Sequence, residues 1–130
     1  GIYGPWRLPE KRLRSGEPVV REEESPWSNR VHIEDMVRAC LAAGQHGRPG
    51  AVYNISDGHP TTMTDYFNRV ADALGLERPP QITLAQARAE LSAGMQSYLA
   101  ESKRLDNRRM REELGVEPRY PDLARGLPLV

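Results

Sequence analysis

Ala51-Val52-Tyr53-Asn54-Ile55-Ser56, closed by Asp57-Gly58, is the stretch that decides the fold. A short run of β-branched and aromatic residues ended by a turn dipeptide predicts a strand. Apolar side chains stand at both parities, Val52 on one and Tyr53 and Ile55 on the other. That pattern fits a strand covered on both faces in a parallel sheet. A lone strand cannot satisfy its own backbone N–H and C=O groups. The sequence offers few neighbours for it. The stretch therefore reads as an inner member of a larger β-layer whose partners come earlier in a longer polypeptide.

Working outward, Ile33, Met36, Val37, Cys40 and Leu41 fall at i, i+3, i+4, i+7 and i+8. This spacing predicts a helix with an apolar stripe, and it places Cys40 in the core. Glu34 and Asp35 suit its positive N-terminal end, and Gly44 is its expected stop. Residues 1–30 carry Pro5, Pro9, Gly16, Pro18 and Pro26. They predict a long loop with one edge strand at Pro18-Val19-Val20-Arg21.

On the other side, a second helix runs from Thr62 or Thr64 to Leu74, with Phe67, Val70, Ala71 and Leu74 inward and Gly75 past its end. Thr83-Leu84-Ala85-Gln86 fits a capping box opening a third helix. Its end lies near Ser92-Ala93-Gly94, and Met95 to Leu99 can add another turn or two. Asp106 or Asn107 can cap a last helix carrying Met110 and Leu114 and stopped by Gly115. Residues 118–130 read as loop.

The bulk numbers exclude several classes. A chain of 130 residues makes one domain, and 38% apolar with 28% charged residues is a globular composition. Lys+Arg and Asp+Glu are both 18, so no global field favours nucleic acid or an anionic membrane. No apolar run approaches the roughly 18 residues of a spanning helix. Cys40, the one cysteine, cannot form an internal disulfide, and a cytoplasmic location is expected. The basic residues Lys103, Arg104, Arg108, Arg109 and Arg111 alternate with Glu101, Asp106, Glu112 and Glu113, as on a solvated ion-pair face. His32 and Asp35 lack a third metal ligand, so no metal is expected. They read instead as a packing and hydrogen-bonding pair at a helix start.

Four segments resemble one family, the extended short-chain dehydrogenase/reductases, in its NAD-dependent epimerase/dehydratase branch. Gly1-Ile2-Tyr3-Gly4-Pro5-Trp6-Arg7 resembles the family's Gly-x-Tyr-Gly-Pro-Gly-Arg segment, with Trp6 in place of a glycine. Asn29-Arg30-Val31-His32-Ile33-Glu34-Asp35-Met36 resembles its His-Val-Asp-Asp helix start. Val52-Tyr53-Asn54-Ile55-Ser56-Asp57-Gly58 resembles its Tyr-Asn-Val-Ser-Asp-Gly strand and turn. Leu105-Asp106-Asn107 through Glu113-Leu114-Gly115-Val116 resembles its last helix. The match covers essentially the whole chain.

The resemblance implies an α/β fold: the C-terminal portion of a Rossmann-type domain, mostly helical, with one or two parallel-sheet strands and a long N-terminal loop. Residues 1–130 would be the substrate-side portion, with the N-terminal dinucleotide-binding part absent. The implied cofactor is NAD or NADP, held mostly by that other part. Tyr3, Gly4 and Pro5 would stand beside it, and Arg7, Arg30 and His32 would meet a small-molecule substrate. Arg30 is offset by two from the place, near Ser28, where sugar-nucleotide members carry a diphosphate-gripping arginine. Met95, Tyr98 and Leu99 either line an outer pocket wall or pack in the core. The substrate would be sugar-nucleotide-like or a small carbonyl or hydroxyl compound. A non-catalytic NAD(P)-sensing or regulatory member of the same fold is the alternative. A homodimer of the full-length protein is compatible with the resemblance, whereas nucleic-acid and membrane partners are not expected.

Two absences complete the reading. Gly44-Gln45-His46-Gly47-Arg48-Pro49-Gly50 matches a Gly-x-x-Gly-x-x-Gly spacing but follows a helix and precedes a strand, the reverse of a dinucleotide turn. No tyrosine has lysine at i+4, so the family's Tyr-x-x-x-Lys pair is missing and no catalytic residue is assigned. With the chain opening directly on Gly1-Ile2-Tyr3, both absences fit a portion of a longer protein.

Overall fold

A computed structural model describes residues 1–127. The chain runs β1 (Ile2–Tyr3), α1 (Glu10–Arg14), β2 (Val19–Val20), a 3-10 turn (Glu22–Glu24), β3 (Trp27–Ser28), β4 (Val31–His32) and α2 (Ile33–His46). It continues with β5 (Thr61–Thr62), α3 (Met63–Leu74), β6 (Gln81–Ile82), α4 (Leu84–Glu90), α5 (Ala93–Leu99), α6 (Arg108–Glu112) and α7 (Leu123–Gly126). It divides into two units. One holds Gly1–Arg7, Asn29–Pro60 and the chain from Arg104 onward. The other holds Leu8–Ser28 and Thr61–Lys103.

In the first unit β1 and β4 pair in parallel, Ile2 opposite Val31 and Tyr3 opposite His32. β4 runs without a loop into α2, whose N-cap is His32. Ala39 of α2 packs with Met110, Leu114 and Val116, and Ala42, Ala43, Tyr53 and Ile55 border this cluster. Each large aliphatic side chain so buried contributes about 1.5–3 kcal/mol. The expected stripe on α2 is corrected here. Val37 and Leu41 are 51% and 64% exposed, and Cys40 is exposed rather than in the core. The inward face is instead Asp35 and Ala39, one turn apart, because Asp35 ties down the C-terminal segment described below. Gly44 does not stop the helix, which continues to His46 with Gly47 as its C-cap.

Residues 51–56 join no ladder among the described residues. They keep the alternation of an extended chain: Ala51, Tyr53 and Ile55 are partly buried, whereas Val52 and Asn54 are exposed. Burial on both faces was expected, and only one face is covered. With no strand hydrogen-bonded alongside, nothing lies over Val52. The last long helix is shorter than its pattern, and Asn107 does not cap it through its side chain. The Asn107 amide donates to the Ser56 carbonyl at 3.0 Å, while Asp106 accepts the Arg108 N–H at 2.8 Å.

The second unit is built on α3. Thr62 Oγ1 accepts the Asp65 N–H at 3.0 Å, and Gly75 closes the helix in the left-handed conformation. Val70 and Ala71 are fully buried, with Met63, Tyr66 and Phe67 beside them on the same inward side. Thr64 is also buried, and its hydroxyl donates to the Val20 carbonyl. β2 pairs in parallel with β6 and β3 antiparallel with β5. The predicted capping box at Thr83 and Gln86 is present at the head of α4. The expected long loop is more structured than its prolines suggest. It contains α1, held by the Arg14–Glu10 pair one turn apart, and the strands β2 and β3.

Candidate functional site

The first unit brings its chemistry-bearing residues to the C-terminal ends of β1 and β4. In open α/β sheets that end of parallel strands is where ligands bind. The chain leaves β1 through a turn in which the Arg7 N–H donates to the Gly4 carbonyl at 3.0 Å. Gly4 has φ +150°, and a Cβ there would stand 2.5 Å from Ile33 Cγ2. Only glycine lets β1 approach the head of α2 this closely. Trp6, two residues on, has φ +62° and is 100% exposed. Arg7 is exposed beside it.

Tyr3 and His32 require a correction. Tyr3 is 0% exposed, its ring edge-on to His32 at 5.3 Å. Its hydroxyl makes a long hydrogen bond to the Asp122 carbonyl at 3.4 Å. His32 is likewise buried, and its Nδ1 accepts the Glu34 N–H at 3.1 Å, capping α2. Tyr120 lies against its ring at 4.1 Å. Both side chains are therefore packed inside the unit and turned away from solvent. His32 has the helix-start role. With Nδ1 accepting, the ring proton falls on Nε2, which has no partner among the described residues.

Asp35, also buried, organises this corner. Its carboxylate accepts the Arg119 and Tyr120 N–H groups, both at 3.0 Å, and the Arg38 guanidinium at 2.8 Å. Tyr120 Oη donates to Glu34 at 2.8 Å, and that bond, with burial beside the carboxylate, raises the phenol above its ordinary range. Arg30 is half-buried, with its guanidinium against Gly1 and its carbonyl accepting the Asp57 N–H at 2.8 Å.

The turn after residues 51–56 adds a group that the sequence marks only as a turn signal. Asp57 is 3% exposed. Its Oδ1 accepts the His59 N–H at 2.8 Å, and its Oδ2 has no partner among the described residues. Burial pushes its carboxyl up to about 6, against the pull of the His59 N–H and ring, with Asp122 adding to the rise. Ser56, next to it, is buried with its hydroxyl unpartnered. An Asp-Gly dipeptide closing an extended run signals a turn, but not that its carboxylate points inward.

In the second unit, Met95 and Leu99 line a small cavity with Val19, Val20, Phe67 and Leu91, whereas Tyr98 is 69% exposed. The Arg12 guanidinium stands 5.4 Å from the Phe67 ring. About 10 Å³ of open space remains, room for one water. Among the described residues no group of three His, Cys, Asp or Glu could hold a metal ion. No described helix is long and apolar enough to cross a membrane.

No family model matches the chain. Protein YeeZ of Escherichia coli K12 is 34% identical over 123 residues, which are 94% of this chain and 39% of that protein. A functionally unknown conserved protein from Silicibacter pomeroyi superimposes with a TM-score of 0.84 at 34% identity, covering 98% of this chain and 44% of that one. UDP-glucose 4-epimerase from Thermotoga maritima, solved with UDP-glucose, superimposes with a TM-score of 0.71 at 26% identity, covering 99% of this chain and 41% of that one. The named proteins of this fold that the chain matches at 26–27% identity are epimerases, which agrees with its being part of an extended short-chain dehydrogenase/reductase of the epimerase/dehydratase branch. It matches the C-terminal part of these Rossmann-like proteins, as the parallel pairs and helix-rich architecture imply. The chain spans about two fifths of the length of the curated relatives it matches. Other members of the fold, at lower identity, are solved with NAD or NADPH.

The glycines from Gly44 to Gly50 lie at the C-terminal end of α2, where the helix presents carbonyls and negative partial charge. A pyrophosphate needs the opposite pole. The turn at residues 4–7, held close by Gly4, leaves Trp6 and Arg7 exposed.

Proposed function

We propose that this chain is the substrate-side part of an NAD(P)-dependent epimerase/dehydratase-type oxidoreductase acting on a sugar-nucleotide-like or small carbonyl or hydroxyl substrate. One observation carries the reading. Residues 51–56 run extended, buried on one side and open on the other, with no strand beside them among the described residues. An extended segment outside any ladder is completed by neighbouring strands. The supporting arrangement is the turn at residues 4–7, exposed at Trp6 and Arg7, at the strand end where doubly wound sheets bind ligands. When bound, the nicotinamide cofactor supplies hydride transfer. This chain's own contribution is to shape and close the substrate side. Neither a Tyr-x-x-x-Lys pair nor a phosphate-binding turn lies within it.

The test compares this chain with the natural polypeptide that contains it. Calorimetry on the chain alone should show no micromolar affinity for NAD or NADP, and assays with UDP-sugars should show no turnover. The longer polypeptide should bind the cofactor and turn over such a substrate. Micromolar cofactor binding by the chain alone would refute the division of labour. Binding without turnover in the longer protein, across carbonyl and sugar-nucleotide substrates, would refute the enzymatic reading.

A further inference from the structure

Residues 83–103 form a strap in the second unit that is tied down at its two ends. At the first end the Leu84 N–H donates to the Glu24 carboxylate at 2.9 Å, and the Arg88 charge also acts on Glu24. At the other end Ser102 Oγ accepts the Trp27 N–H at 3.1 Å, and the Lys103 N–H donates to the Trp27 carbonyl at 3.3 Å. Among the described residues, every hydrogen bond made by residues 85–101 stays within the strap, Gln96 for instance donating to the Arg88 and Leu91 carbonyls. α4 buries Ala87 alone, and α5 buries none of its residues. Between its anchors the strap is therefore held chiefly by apolar contact at Leu91, Met95 and Leu99, each four residues from the next. A segment with so few buried contacts opens at low free energy.

Beneath it lies the cavity floored by Val20, Met63 and Phe67, with about 10 Å³ open when the strap is down. A benzene-sized guest occupies a cavity of about 150 Å³, so only a lifted strap admits one. One wall is polar. Arg12 lines the cavity, with Nη1 donating to Glu17 at 2.6 Å and Nη2 to the Pro18 carbonyl at 3.0 Å. Its charge is thus already matched, yet its Nε is buried with no partner among the described residues. A buried donor without an acceptor costs free energy until one arrives. A neutral oxygen supplies the missing acceptor. A carboxylate would instead bring a second negative charge beside Glu17 into an apolar site.

We propose that residues 91–99 are a flap that lifts to admit a small neutral molecule, a short hydrocarbon ring or chain whose one carbonyl oxygen accepts the Arg12 Nε–H. The site lies wholly in the second unit. It stands apart from the substrate-side reading, which gives this cavity no ligand, and the two can fail separately.

The experiment uses the chain itself, labelled at the methionine methyl groups. Met63 and Met95 line the cavity, whereas Met36 and Met110 lie in the first unit and serve as controls. Cyclohexanone, its oxygen-free isostere methylenecyclohexane, and cyclohexanecarboxylate are titrated separately. Cyclohexanone should shift the Met63 and Met95 signals to saturation, in the millimolar range usual for so few atoms, and leave Met36 and Met110 in place. Methylenecyclohexane should bind about 10-fold more weakly, the loss of one hydrogen bond from a charged donor. The carboxylate should also bind more weakly than the ketone. In Arg12→Met the ketone and its isostere should bind alike. Amide exchange through α5 should be faster than through α3 in the free chain and should slow on saturation with the ketone.

Shifts that grow without saturation, or equally in all four methyl groups, overturn the site and leave a single buried water as the partner of Arg12 Nε. Equal binding of ketone and isostere by the wild type overturns the ligand class. That ratio is read on the unaltered chain, so it decides whether or not Arg12→Met folds. Tighter binding of the carboxylate overturns the neutral ligand, and exchange through α5 as slow as through α3 overturns the flap.

Discussion

Replacing Asp57 by Asn tests the electrostatics of the corner directly. The Asp57 carboxyl is raised from 3.8 to about 6, chiefly by burial. A tenfold change in proton affinity between the unfolded and folded chain is worth about 1.4 kcal/mol, so this rise corresponds to about 3 kcal/mol. Gly58 and His59 are exposed beside it, and partial hydration lowers this to on the order of 2 kcal/mol. The sign follows from linkage. A carboxyl whose folded value lies above its unfolded value is best tolerated when protonated. Its contribution is fully present below about pH 4 and is lost as pH rises through about 6. Asn cannot ionise, and its Oδ1 can keep accepting the His59 N–H. Asp57→Asn should therefore match the wild type near pH 4 and exceed it by about 2 kcal/mol at pH 7.5. Urea denaturation of both proteins at steps between those values gives the difference curve, in which other titrating groups cancel. A flat curve, or a wild type that gains on the variant as pH rises, would refute the reasoning.

Three further outcomes follow from the packing. Asp35→Ala strips the acceptor from two backbone N–H groups and Arg38, and should cost about 3 kcal/mol, read as a lower urea midpoint. Gly126→Ala puts a Cβ 1.8 Å from the Tyr3 hydroxyl and should destabilise by about 1–3 kcal/mol. Tyr3→Phe removes the hydroxyl that this Cβ meets and should recover part of that loss, and simple additivity in the double variant would contradict the contact. Thr83→Ala removes half of the capping box and should cost about 1 kcal/mol, seen as a lower melting temperature.

Local signals carried far in this sequence, and long-range ones did not. α3 lies between its Thr62 cap and Gly75, and the Thr83–Gln86 box opens α4, because each signal acts within one helical turn. α2 is visible as a helix, but periodicity marks an apolar stripe without saying what meets it. Val37, Cys40 and Leu41 stay outside because Asp35 draws the opposite face toward residues far along the chain. α1 is hidden among prolines because it is five residues long and depends on Leu13 being buried. Near the candidate site, the tight turn at Gly4 and Pro5 is legible from its residue types, whereas the burial of Gly4 and the exposure of Arg7 are not. Tyr3 and His32 resemble ligand residues, since nothing in the sequence tells a ring packed under Tyr120 from one facing a pocket. The inward carboxylate of Asp57 and the left-handed Trp6 emerge only in three dimensions, because both are properties of backbone direction.

The anchoring of Arg119 and Tyr120 on Asp35 makes two distant amide protons into gauges of the helix head. Their exchange with solvent deuterium is gated by release of the carboxylate rather than by the looseness of their own segment. They should exchange in step with the first turn of α2, so that a spectrum of the C-terminal segment reads the integrity of a corner assembled more than eighty residues earlier.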